Sequence, residues 1–473
     1  MKSRCKAVAG ILFLALCNLM FFSTSRVKNE NFLTEKQARE EAEIVINTIK
    51  KMHPNPHWFK DETLWDDYVE KLLSRKGDVS IAQHYFDLAY LFSLVTDTHT
   101  QIYPDLQTRS FLSVYPIRFR SFSDGLYIIS SNEDYKQFVG KRVISFGDMK
   151  ADSIMNILAD YVSADHPIRK KTLAEFLLVM PEMYEVFGLS SRDKKVKMVV
   201  EDLHGKRETT YLDKLEDKSF AKVFYEDPIS FGIYIPDGWT SVFDVFGIEI
   251  PDSRADLRNN YWKKELQLPE GGTALLIQIN SNSDNENGES QYDFILRTFQ
   301  EIRASEYPID RVIVDLRYDL GGWIRNTAAL SGLLYGAGYN KLGKTVVLIG
   351  RECVSAGTIL AADIEMSNNA YFIGEPSGSR PNMFLDHVQI DLPYSNFFAE
   401  CATEKYISTT MDDSRRYLVP DLKIYESFEE FISGKDIALE KALSITTKEM
   451  EDYNDGYYSG ELWKRSSQFE SVE

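Results

Sequence analysis

The chain has 473 residues, enough for roughly two to four domains with large cores. A hydrophobic fraction of 44% and a charged fraction of 27% are those of a globular protein and exclude a fibrous or disordered chain. The net charge of −18 excludes nucleic acid as the main partner, because phosphate binding needs a basic surface.

The first stretch differs from the rest. Lys2, Arg4 and Lys6 precede an apolar run from Ala7 to Phe22, and small Ser23-Thr24-Ser25 follows. Basic, apolar, then small is the layout of a secretory signal, here residues 1–25. The run is shorter than the ~20 residues of a spanning helix. The expectation is an exported protein, periplasmic or extracellular, touching a membrane only through an uncleaved signal anchor. Of the four cysteines, Cys5 and Cys17 lie in the signal. Cys353 and Cys401 remain, either as one disulfide or as two buried thiols. No zinc-ligand spacing or HExxH motif occurs, so no metal or organic cofactor is implied.

Residues 30–110 read as a helical N-terminal domain. Thr34 is a plausible N-cap, and Ala38, Ala42, Val45 and Ile49 recur at helical spacing. Pro54 and Pro56 break the pattern, after which helices are expected over 62–73 and 81–94. The last runs into Asp97-Thr98-His99-Thr100, a histidine among hydroxyl and carboxyl groups. Residues 111–215 read as a β-rich module, with strands over 114–119, 125–129, 142–144 and from Val196, where a hairpin turn follows at His204-Gly205-Lys206.

Residues 216–445 form the largest unit. After an aromatic and proline-rich stretch, apolar runs at 274–279, 311–316 and 346–349 alternate with helical patterns at 292–304 and 327–334. That alternation predicts an α/β core with largely parallel pairing. Residues 446–473 read as a C-terminal tail. In such cores ligands bind at the C-terminal ends of strands. Gly321-Gly322 and Ser355 both follow strands closely, so they can share that edge. Ser355 precedes a small, apolar helical run from Ala356, which suits a helix N-cap and equally an exposed nucleophile. With His99 as base and backbone amides at Gly321, Gly322 and Ala356 as oxyanion donors, these residues could form a hydrolase site.

The motifs resemble one family. Val314-Asp315-Leu316-Arg317-Tyr318-Asp319-Leu320-Gly321-Gly322 is similar to the DLR-x-N-x-GG signature of the C-terminal processing (tail-specific) serine proteases, with Asp319 in place of asparagine. Ser355-Ala356-Gly357-Thr358 followed by Gly374-Glu375-Pro376 resembles the nucleophile block, with Gly357 departing from its pattern. Asp97-Thr98-His99-Thr100 resembles the DGHT element of the histidine-using branch, and Val419-Pro420-Asp421 a later element. The resemblance implies a ClpP/crotonase-like α/β core, an N-terminal helical domain and a PDZ-like domain at 111–215. Many members use a lysine base, and that lysine would fall at Arg380, which cannot deprotonate near neutrality. The resemblance therefore implies the tricorn-like arrangement. Ser355 attacks, His99 takes the proton, and Thr98 with Asp413 orients the histidine. Gly321, Gly322 and Ala356 hold the oxyanion, and the partner is a protein or peptide substrate. Two rivals stand beside this reading: a catalytically silent relative that binds peptides or another ligand, and a serine hydrolase of a non-peptide ester or amide.

Overall fold

The computed structural model describes residues 32–453 except 58–61, 104–113, 191–194, 216–234, 237 and 286–287. The signal segment and most of the expected tail lie outside the described residues. The N-terminal region holds α1 (Glu35–Met52), α2 (Glu62–Ser74) and α3 (Ile81–Ser93). Thr34 caps α1 through a capping box with Gln37, and Ala38, Ala42, Val45 and Ile49 form its buried face. After α3, the short strand β1 (Gln101–Tyr103) leads away from His99.

The β-rich region contains β2 (Ile117–Phe122), β3 (Gly125–Ser131), β4 (Arg142–Phe146), α4 (Ala151–Ala159), α5 (Pro167–Leu177), α6 (Pro181–Val186), β5 (Val196–Glu201) and β6 (Arg207–Leu212). Helices α5 and α6 were not expected. Both start on proline at the first turn, where its missing N–H costs nothing. The sheet also takes in Thr240–Ser241, which pairs with Ser130–Ser131, so pairing continues beyond residue 215. Buried side chains of α1, α3 and this sheet join in one continuous apolar core rather than two separate ones.

The α/β core is built on a sheet in the order β7 (Tyr261–Gln267), β8 (Thr273–Ile279), β9 (Arg311–Asp315), β10 (Thr345–Ile349), β11 (Tyr371–Gly374) and β14 (Leu422–Lys423). β7 is antiparallel to β8, and the later pairings are parallel. β9 and β10 are buried at every position, which is why they read as unbroken apolar runs. Helices α7 (Gln291–Ala304), α8 (Thr327–Gly336), α9 (Ala356–Ser367) and α10 (Ile437–Ser444) connect or cover the strands. Helix Thr447–Tyr453 follows within the expected tail, and its Met450 is buried in the core.

A second small sheet brings the distant pieces together. β12 (Met383–Asp391) pairs with β13 (Phe398–Tyr406), and β13 pairs with β1 through Tyr103, Ile102 and Gln101. This sheet was not anticipated. Its ladder skips Asp386, whose φ of 46° marks an irregularity between Leu385 and His387. Through β1 the end of the N-terminal region is stitched onto the core, and His99 arrives beside the edge where β9 and β10 end. Cys353 and Cys401 are both buried free thiols.

Candidate active site

The C-terminal end of β10 opens into a turn that delivers Ser355 to the start of α9. Ser355 has φ 53° and ψ −128°, a region that non-glycine residues rarely occupy. Its side chain makes no cap hydrogen bond, so the N-cap reading does not describe it. Neighbours hold the strained turn. The Ser355 N–H donates to Ser379 Oγ at 3.0 Å, and Thr358 Oγ1 donates to the Cys353 carbonyl at 2.9 Å. Close approach is steric as well: a Cβ on Gly357 would lie 2.6 Å from the Asp319 carbonyl oxygen.

His99 meets the serine across the interface: Nε2 lies 3.0 Å from Ser355 Oγ, although the residues are 256 positions apart. Both side chains are buried. Burial pushes the His99 pKa down, against the opposing influence of Asp97 and Asp165. The Phe384 backbone carbonyl faces the ring as an acceptor. A neutral imidazole that accepts from Ser355 at Nε2 carries its proton on Nδ1, and a carbonyl acceptor suits that tautomer.

Two expected orienting groups stand elsewhere. Thr98 Oγ1 donates to Asp165 Oδ2 at 2.8 Å, not to the histidine. Asp413 is taken by Thr409 and by Arg415, whose guanidinium also spans Glu365 on α9. A guanidinium between two carboxylates outcompetes a neutral imidazole for them. The carboxylates that act on the His99 loop are Asp97 and Asp165. Asp97 Oδ1 accepts from the His99 N–H at 3.1 Å, and its Oδ2 accepts from Thr100 Oγ1 at 2.6 Å and faces His53 Nε2 at 3.2 Å. Burial works against ionisation of Asp97, yet His53, His99 and Thr100 together hold its pKa low.

Arg380 is buried and structural. Its Nε donates to Asp165 Oδ1 at 2.8 Å and its Nη2 to the Thr96 carbonyl at 2.6 Å. Thr96 has φ 53°, so the arginine clamps a strained residue at the start of the histidine loop. Ser379 holds the nucleophile turn and Arg380 the histidine loop, so two consecutive residues brace both halves. His53, Asp165 and Ser379 were not singled out in the sequence. His53 sits in a proline-rich break and Asp165 in a loop, where nothing local marks them. Asp97 and Thr100 belong to the quoted motif, and their polar clustering was the available signal.

The glycine turn needs one correction. The Gly321 N–H donates to Asp319 Oδ1 at 2.9 Å, so this amide is already committed and does not serve as a free oxyanion donor. Gly321 instead supplies room: at φ 99°, a Cβ there would lie 2.6 Å from Ser355 Cβ and 3.0 Å from Oγ. Gly322 and Ala356 remain the candidate donors, Ala356 being the first residue of α9. Asp319 Oδ2 accepts from Asn282 Nδ2 at 2.7 Å, and burial pushes the Asp319 pKa up to about 8. A carboxyl kept neutral at pH 7 does not oppose negative charge on a neighbouring oxyanion. Asp315 and Arg317 fasten the end of β9. Arg317 Nη1 donates to Asp436 Oδ1 at 2.7 Å, and Asp436 also accepts the Leu439 N–H at the start of α10.

Among solved structures the chain is similar to mature CPAF complexed with lactacystin, with a TM-score of 0.61 and 11% identity over 88% of this chain and 99% of that chain. It is also similar to mature CPAF (TM-score 0.60, 12% identity, 89% of this chain and 98% of that chain) and to a CPAF mutant (0.62, 10%, 88% and 98%). At these identities the likeness concerns the fold: an α/β core with a helical N-terminal region and a sheet-rich region. No family model matches the chain. No curated protein matches it.

Proposed function

We propose that this protein is an exported serine peptidase of the C-terminal processing type, in its tricorn-like, histidine-using branch. The observation that carries the reading is the 3.0 Å contact between His99 Nε2 and Ser355 Oγ on a strained strand-to-helix turn. Ser355 attacks the scissile carbonyl while His99 takes its proton. His99 then returns that proton to the leaving amine. The Ala356 and Gly322 amides hold the oxyanion. Asp97, Asp165 and Arg380 act as positioning residues for the His99 loop. The β-rich region is the PDZ-like module of this reading and positions the peptide chain. The Lys2–Ser25 layout supports export.

The test is turnover of an unfolded protein by the mature chain, compared with Ser355→Ala and His99→Ala. Loss on the order of 10²–10⁴-fold in His99→Ala is expected. Equal turnover by all three would rule the assignment out. One observation favours the silent-relative reading: the Gly321 amide is occupied by Asp319. A small fluorophosphonate that fails to modify Ser355 would support that rival.

A further inference from the structure

We infer that Asn282 is a positioning residue for the oxyanion turn, pinning the Gly321–Gly322 peptide so that the Gly322 N–H serves the nucleophile; this rests on the peptidase reading. Asn282 follows β8 by three residues and is fully buried. Its backbone N–H donates to the Gly321 carbonyl at 2.7 Å, and Ser281 Oγ donates to the same oxygen at 3.2 Å. Asn282 and Gly322 pair as an isolated parallel bridge. In a trans peptide the N–H points opposite to the carbonyl, and no peptide among the described residues is cis. Two donors on the Gly321 oxygen therefore turn the Gly322 N–H away from Asn282. Among the described residues it has no acceptor. The same turn lies against the serine and the second donor: a Cβ on Gly321 would be 2.6 Å from Ser355 Cβ and 3.1 Å from the Ala356 nitrogen.

The side chain grips the turn at a second point. Asn282 Nδ2 donates to Asp319 Oδ2 at 2.7 Å, and Asp319 Oδ1 accepts the Gly321 N–H at 2.9 Å. Both polar groups of Gly321 are thus held through one residue, the carbonyl directly and the N–H by way of Asp319. Asn282 is itself held. Gln291 Nε2, at the start of α7, donates to its Oδ1 at 3.1 Å, and Asn326 Nδ2 donates to its carbonyl at 2.7 Å. Its N–H, carbonyl, Nδ2 and Oδ1 therefore each have a partner, as a fully buried amide requires. A donor aimed at an oxyanion works only where its geometry is fixed, and a misplacement of about 1 Å costs on the order of 10²-fold in rate. Asn282 acts through the Gly321–Gly322 peptide and touches no reacting atom in this account.

The experiment measures kcat and KM on a peptide that the parent enzyme cuts, with kcat expressed per Ser355 titrated by a fluorophosphonate. Asn282→Leu should lower kcat on the order of 10²-fold with KM within a few-fold, because the donor acts on the oxyanion and not on the bound peptide. Asn282→Asp sets two carboxyl groups against each other and should fall as far. Combined with Asp319→Asn, it exchanges donor and acceptor: the amide at 319 donates to the carboxylate at 282 and still accepts the Gly321 N–H. The double variant should regain at least on the order of 10-fold over Asn282→Asp alone, a rescue that a residue needed only for packing would not show. Where the Asn282 variants fail to fold, Ser281→Ala decides. It removes one of the two donors to the Gly321 carbonyl at a half-buried position, and kcat should fall several-fold at unchanged KM. Unchanged kcat in Asn282→Leu, or a double variant no better than Asn282→Asp, overturns this inference alone. So does unchanged kcat in Ser281→Ala where that variant decides. Absence of any Ser355-dependent cleavage by the parent enzyme overturns the peptidase reading and this inference with it.

Discussion

The two halves of the site are held in different ways. The histidine loop, residues 96–100, is held by charge: Asp97 with His53 and Thr100, and Asp165 with Arg380 and Thr98. The serine turn is held by small residues and short contacts: Gly321, Gly357 and Gly378 admit backbone where a Cβ would collide, and Ser379 anchors the Ser355 N–H. A charged brace fails when one partner is removed, because the other is left buried and uncompensated. A steric brace fails when volume is added. The seam between the β-rich region and the core mixes both. Arg120 on β2 donates to Glu352 at 3.1 Å, and Arg351 Nη2 donates to the Ser121 carbonyl at 3.0 Å, three and four residues before the nucleophile.

The largest effect should come from breaking the charged brace. Arg380→Met leaves Asp165 buried without its counter-charge, and a loss of about 3–5 kcal/mol in denaturant unfolding is expected. An unchanged midpoint would mean that the arginine braces nothing. The steric half is tested by Gly321→Ala, which places a methyl 2.6 Å from Ser355 Cβ. Turnover should fall on the order of 10²-fold with the circular dichroism spectrum retained. Full activity would show that the turn has slack.

The halves should also differ in pH response. Burial lowers the His99 pKa, so its neutral, proton-accepting form persists into more acidic solution, and the acid limb of kcat/KM should have its midpoint below 6.5. Asp319, raised from 3.8 to about 8, binds its proton more tightly folded than unfolded. Its contribution therefore lowers stability as pH rises through that window. Ionisation above about 8 places charge beside the oxyanion turn, so an alkaline limb is expected there that Asp319→Asn removes. The smallest effects belong to the two groups that do not reach the histidine. Thr98→Val should cost about 1 kcal/mol of stability, and turnover by Thr98→Val and by Asp413→Asn should stay within a few-fold. A loss of a thousandfold in either would reinstate it as the group that orients His99.

Much of the core was legible because burial on both faces leaves its mark in short apolar runs, as at 311–315 and 345–349. Ser355 and His99 were legible because each sits in a local motif at the end of a regular element. The support was not. Asp165 reaches the histidine loop from 67 residues away through Thr98, and only the packing of α4 and α5 puts it there. Asp413 stands away from the histidine because Arg415, two residues on, holds it together with Glu365, a pairing that its neighbourhood in the sequence does not announce. β12 escaped because its alternation breaks at Asp386, and the free amide expected at Gly321 was lost to a side chain two residues earlier.

The central claim is that His99 activates Ser355, and its most direct measurement is the rate of covalent labelling by a small fluorophosphonate, with the adduct located by peptide mapping. The account predicts one adduct, on Ser355, forming on the order of 10²–10⁴-fold more slowly in His99→Ala. An adduct on another residue, or an equal rate in His99→Ala, would contradict it.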